Sequence, residues 1–132
     1  MVKLDHFGIV SVDIEKFENF WVKQLRFKQI FQSRIPAEMN NELFGFKIGA
    51  YCARYQRGTM IIEVHVYDKK VKKEEMPFNR FGLNHIALWV KDREKFLSKL
   101  DVEKKIYHNP KGWDNIFIKD YEGNWVEVRT DL

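Results

Sequence analysis

Cysteine is nearly absent from this 132-residue sequence, where Cys52 stands alone. A single thiol excludes an intrachain disulfide and a cysteine-rich zinc site, and Cys52 reads as a small buried hydrophobe. Long apolar runs are missing as well. None reaches the roughly 18–20 residues that a membrane span needs. The N-terminal stretch carries Asp5, Asp13 and Glu15 where a signal peptide would have an unbroken apolar segment. These absences point to a soluble, cytoplasmic protein with no membrane partner. Charge of one sign is also scarce: 23 Lys and Arg face 19 Asp and Glu, for a net charge of +4. The densest basic segment begins at Lys69 and is ended at once by Glu74 and Glu75. No basic stripe with a reading motif marks a nucleic-acid partner.

Aromatic residues are plentiful, at 11 Phe, 5 Tyr and 4 Trp. The length suits one domain by the usual range of roughly 100–200 residues. Within it the chain repeats itself. Laying LDHFGIVSVDIEKF from Leu4 over LNHIALWVKDREKF from Leu83 gives six identities in fourteen positions, with His6 on His85 and Asp13 on Asp92. MIIEVHV, from Met60, lies over NWVEVRT, from Asn124, and places Glu63 on Glu127. The expected organisation is therefore one domain, 1–132, built of a module 1–67, a linker 68–82 and a module 83–132.

Each copy reads as a strand, a helix and three strands. Asp13 and Asp92 are N-cap candidates. Ile14, Phe17, Trp21 and Leu25 recur at helical spacing, widened by Phe20, and predict a buried stripe. Residues 36–42 read as a polar loop and 43–55 as a long β-prone run with bends at Gly45 and Gly49. Asp120 to Asn124 reads as a tight turn with Gly123 at positive φ. Strand alternation puts His6, Gly8 and Val10 on one face, opposite Phe7 and Ile9. It likewise puts Glu63, His65 and Tyr67 opposite Ile62, Val64 and Val66. In the second copy His85, Ala87 and Trp89 share a face, as do Trp125, Glu127 and Arg129. The apolar faces suit packing against helices, leaving the histidines and glutamates on the concave side. The aromatic residues divide between two module cores and a pocket wall.

Two histidines and two glutamates thus hold equivalent places in two copies. Imidazole nitrogen with carboxylate oxygen is a ligand set for a divalent Zn, Ni, Fe, Co or Mn ion, and two carboxylates cancel its charge. The stretches LDHFGIVSVDIEKFENFW, GLNHIALWVKDREKF and IFIKDYEGNWVEV, with MIIEV, resemble the vicinal oxygen chelate superfamily of glyoxalase I, extradiol dioxygenases and the bleomycin and fosfomycin resistance proteins. The resemblance implies an α+β fold of two tandem βαβββ modules, forming an open, cup-shaped mixed sheet with helices outside. It implies that His6, Glu63, His85 and Glu127 hold one divalent metal ion per site. It also implies a homodimer, in which a site can lie within one chain or be shared between two.

A ligand set of this composition is similar to that of glyoxalase I. It implies a lyase or isomerase that moves a proton beside a carbonyl of a small vicinal-oxygen substrate through a metal-stabilised enediolate. Glu127 is then the first choice for base and Glu63 the second. Val10 and Tyr67 stand where glyoxalase I proteins carry glutathione-holding Arg and Asn, which weighs against a glutathione substrate. Trp89, Trp125, Tyr67, His65 and Arg129 are the candidate substrate contacts, with Tyr51 a further candidate for an aromatic cup. Two alternatives remain open. One is an extradiol-type dioxygenase with His65 or His108 as acid–base. The other is a non-catalytic small-molecule-binding protein of the resistance type.

Overall fold

A computed structural model of the chain describes residues 3–70 and 83–131, so most of the expected linker lies outside the described residues. The first module runs β1 (Phe7–Val10), α1 (Ile14–Glu18), β2 (Lys28–Ile35), α2 (Ala37–Phe44), β3 (Ala50–Arg57) and β4 (Met60–Tyr67). The second runs β5 (Ile86–Trp89), α3 (Arg93–Ser98), β6 (Lys104–His108), β7 (Asp114–Lys119) and β8 (Trp125–Arg129). Each makes a four-stranded mixed sheet, in the orders β1-β4-β3-β2 and β5-β8-β7-β6. The first strand of each module pairs in parallel with the last, and the other pairings are antiparallel. The architecture is α+β, two modules with open sheets. Among the described residues no helix is long and apolar enough to cross a membrane.

The helix starts follow from their caps. Asp13 accepts hydrogen bonds from the backbone N–H groups of Glu15 and Lys16, and Asp92 accepts one from that of Lys95. Each satisfies donors that the first turn would leave unpaired. After Glu18, α1 widens into a π-helical turn over Asn19–Gln24. Phe17 in α1, Phe20 and Trp21 in this turn, and Leu25 at its end are all buried. Asp120 organises the last hairpin, accepting from the backbone N–H groups of Glu122 and Asn124 at 2.9 and 2.7 Å, while Gly123 takes φ 93°.

Two expectations are corrected. Residues 36–42 are not a loop, and the β-prone run does not begin at Leu43. Instead Ala37–Phe44 is a helix, entered from Pro36 and closed by Gly45 in the left-handed conformation at φ 79°. Asn40 ties it down by donating to the Ile48 carbonyl at 2.7 Å. Nor are there two separate cores. Phe17, Phe20, Trp21, Ile62 and Val64 belong to one continuous cluster with Leu88, Leu97, Ile118, Val126 and Val128. The modules meet around α1: the Phe20 and Tyr121 rings lie 5.7 Å apart, Gln24 accepts from the Asp101 N–H at 3.0 Å, and Glu122 accepts from the Ser11 hydroxyl and the Val12 N–H. The apolar strand faces turn into this core, so the opposite faces are left to carry polar groups.

Candidate metal centre

In the first module His6 immediately precedes β1, and the register sets Gly8 beside Glu63 and Val10 beside His65. Glycine at position 8 leaves room above the sheet, and His6 Nε2 comes to 3.6 Å from Glu63 Oε2. The other ring nitrogen, Nδ1, is 2.6 Å from Asp5 Oδ2. The second module repeats this arrangement. His85 immediately precedes β5, its Nε2 lies 3.4 Å from Glu127 Oε2, and its Nδ1 is 2.7 Å from Asn84 Oδ1. An oxygen acceptor on Nδ1 fixes the tautomer and turns Nε2 outward, which is how metal-binding imidazoles are commonly oriented. In both copies that acceptor is the residue just before the histidine. Asp5 and Asn84 were missed in the sequence, although an Asx residue before each repeated histidine is a signal that was there to be read.

The surroundings of the two glutamates differ. Across from Glu63 on β3 stands Arg54. Its Nε donates to Glu63 Oε2 at 2.7 Å, and its guanidinium lies 5.6 Å from the centre of the Phe31 ring. His65 Nε2 meets the other oxygen, Oε1, at 2.5 Å. Burial alone would push the Glu63 carboxyl up. The hydrogen bonds from His65 and Arg54, aided by His6, outweigh it and hold the group below the ordinary carboxylate value. Cys52 pairs directly with His65 across the strands and is buried. Burial, and then the Glu63 charge, push its thiol up. So Cys52 is buried as expected, but it lies beside charged partners on the concave face rather than in the apolar core. Arg54 and Cys52 were not expected at the site. The alternation Tyr51, Cys52, Ala53, Arg54, Tyr55 carries the signal, but only once the β3–β4 register is known.

Glu127 has plainer company. Phe117 is its cross-strand neighbour, with its ring centre 5.0 Å from that of His85 and 6.5 Å from that of Trp125. Lys119 Nζ sits 5.1 Å from the centre of the Trp125 ring. Trp89 is exposed on β5 and donates its Nε1–H to Asp131 at 3.0 Å. Arg129 pairs with Trp89 in the register and is exposed. Tyr67 packs against Phe46, ring centres 5.3 Å apart, and edge-on to His65 at 6.5 Å. Tyr51 does not join this wall: it packs against the core, and its hydroxyl donates to Gln32 at 3.1 Å. His108 ends β6, where its Nδ1 meets Asp114 at 2.7 Å in the β6–β7 hairpin.

Each His–Glu pair is therefore formed, but within its own module. Among the described residues of one chain, no three of His6, Glu63, His85 and Glu127 cluster closely enough to share an ion. Among the described residues β1 and β5 are both edge strands, paired on one side only. A groove of about 850 Å³ opens beside β5, bordered by Ala87, Trp89, Met60 and Phe96, and neither pair lines it.

The family model described as "Glyoxalase/Bleomycin resistance protein/Dioxygenase superfamily" matches residues 3–128. The chain belongs to this superfamily. No curated protein matches the sequence. In fold the chain is similar to a glyoxalase family protein from Bacillus cereus, with a TM-score of 0.80 and 15% identity over 100% of this chain and 95% of that one. It is similar to the glyoxalase family protein from Enterococcus faecalis, with a TM-score of 0.72 and 20% identity over 96% and 95%. It is also similar to the fosfomycin resistance protein FosX from Listeria monocytogenes complexed with Mn(II) and sulfate, with a TM-score of 0.60 and 18% identity over 100% and 94%.

Proposed function

We propose that the chain is a divalent-metal-dependent enzyme of the glyoxalase-like type. It acts as a lyase or isomerase, moving a proton beside a carbonyl of a small vicinal-oxygen substrate. It works as a homodimer in which His6 and Glu63 of one chain meet His85 and Glu127 of the other. The observation that carries this reading is the duplicated pair: twice, an imidazole turned by a preceding Asx residue aims Nε2 at a glutamate, at 3.6 and 3.4 Å. The donors fit a borderline divalent ion, with two neutral nitrogens and two anionic oxygens. The partly buried carboxylates, 13% and 16% exposed, gain a counter-charge when it binds. Dimerisation is supported by the edges of β1 and β5, unpaired among the described residues, and by Val10, Val12 and Trp89, exposed at 49%, 46% and 59%.

A divalent ion bound there supplies Lewis-acid polarisation of the substrate carbonyl. The residues divide the remaining work. Glu127, which faces the His85 imidazole and is flanked by Phe117, takes the proton from the carbon beside the carbonyl and returns it to the neighbouring carbon. Glu63, gripped by Arg54 and His65, stays ionised and in place. Trp89, Trp125 and Tyr67 wall the substrate, and Arg129 pairs with an anionic group on it. His65 acts through its hold on Glu63.

The test begins with the metal content of purified protein beside His6→Ala and Glu127→Ala. One divalent ion per four-residue site is expected in the native protein, with loss in both variants. Solvent deuterium is then expected to enter the substrate carbon beside the carbonyl. Oxygen consumption with bound iron would instead indicate the dioxygenase reading. Failure to bind any of Ni, Zn, Fe or Mn would overturn the enzyme reading in favour of a binding protein.

A further inference from the structure

The floor of the first module's concave face holds a second donor group. The Sγ of Cys52 on β3, a carboxylate oxygen of Glu63 and a ring nitrogen of His65 on β4 all lie within 4.8 Å of one another. Their positions are set by backbone. Cys52 and His65 are direct cross-strand partners, and Arg54 is opposite Glu63 in the same ladder. The Glu63 carboxylate is divided between two sides: Oε2 takes Arg54 and faces His6, while Oε1 faces His65.

We propose that Cys52, Glu63 and His65 form a site for a thiophilic divalent cation such as Zn(II) or Co(II), built within one chain and overlapping the four-residue set at Glu63 alone. A tetrahedral ion with metal–sulfur bonds of about 2.3 Å and metal–nitrogen or metal–oxygen bonds of about 2.0–2.2 Å needs donors roughly 3.3–3.7 Å apart. The donors lie within 4.8 Å of one another, and side-chain rotation must bring them to that spacing. Thiolate, carboxylate and neutral imidazole together cancel a 2+ charge. The thiol proton leaves to solvent as the metal–sulfur bond forms, and the His65–Glu63 hydrogen bond gives way to two metal bonds. Sulfur makes the site selective: it favours Zn(II), Co(II) and Cd(II) over Mn(II) or Mg(II), whereas the nitrogen and oxygen set accepts Mn(II) readily. The site shares Glu63 with the four-residue set but needs neither His85 nor Glu127, nor a second chain.

Cobalt reads this out directly, because Cys52 is the only thiol in the sequence. Metal-free protein titrated with Co(II) is expected to develop a near-ultraviolet thiolate-to-cobalt charge-transfer band. The band should persist in the double variant His85→Ala, Glu127→Ala, vanish in Cys52→Ser, and need about tenfold or more cobalt in His65→Ala. Zinc X-ray absorption on the unaltered protein gives the same answer without a variant, as a single sulfur neighbour at about 2.3 Å. Cobalt binding that gives only ligand-field bands, with no sulfur neighbour to zinc, would overturn this site and leave the proposed function standing. If the protein binds neither cobalt nor zinc, this site falls, and the proposed function is then decided by Ni, Fe and Mn binding.

Discussion

The two modules carry the same histidine–glutamate pair in two different settings. Glu63 is held at both oxygens, by Arg54 at 2.7 Å and His65 at 2.5 Å. Glu127 meets an imidazole at 3.4 Å and is flanked by Phe117. Duplication of a module makes the pairs alike, and the neighbours on the adjacent strand make them unlike. A carboxylate pinned by charged hydrogen bonds is a good fixed anion and a poor mobile base. A carboxylate beside aromatic rings keeps the freedom to take and return a proton. The comparison favours the proposed choice of Glu127 as base, on physical grounds that the symmetric sequence pattern does not supply.

The largest effect expected from this asymmetry is catalytic. Glu127→Gln should lower the rate of proton exchange by about 10²–10⁴-fold, the usual contribution of a general base. Glu63→Gln should cost less at saturating metal. Equal losses, or a larger loss for Glu63→Gln, would break the asymmetry. Next come the residues that turn the imidazoles. Asp5→Ala and Asn84→Ala should each weaken metal binding by about 10–100-fold while leaving all four ligands in place, as read by competition with a chelator. An effect in one module alone would show that the two pairs are not equivalent ligands.

The smallest effect concerns Arg54 and acid stability. The carboxyl of Glu63 titrates below its ordinary value in the folded chain. Its stabilising contribution is therefore present above the unfolded value, near 4.3, and is lost as pH falls through the lower folded value. Arg54→Ala removes a hydrogen bond to a charged group. It should cost about 1 kcal/mol at neutral pH, since Arg54 is partly exposed and solvent screens it. It should also move the acid unfolding midpoint of metal-free protein to higher pH. Urea melts across the acid range check both, and an unmoved midpoint would mean that Arg54 does not hold Glu63.

Much of this is legible in the sequence. Period-two alternation around His6, Glu63, His85 and Glu127 is enough to separate a polar face from an apolar one, and the capping aspartates announce their helices. What escaped did so for physical reasons. Ala37–Phe44 looks polar because only Asn40 along it is buried, so burial gives it no apolar stripe, and its Pro36 and Gly45 caps are its main sequence marks. Arg54 and Cys52 enter the site through the β3–β4 register, which a single sequence does not specify. The joint core gathers Phe17, Phe20, Trp21 and Leu25 with buried residues of both modules, where the duplication suggested two separate cores. The four ligands were expected around one concavity, and within one chain they form two separate pairs.

The central claim is that one pair from each of two chains makes a metal site. Its most direct test is the Mn(II) content of a mixed dimer, with His6→Ala in one chain and His85→Ala in the other. In such a dimer a shared arrangement leaves one site with all four ligands and one with neither histidine, so one tightly bound Mn(II) per mixed dimer is expected, against none in either parent homodimer. If the mixed dimer binds no Mn(II) while the unaltered dimer does, the site lies within single chains and the account is wrong.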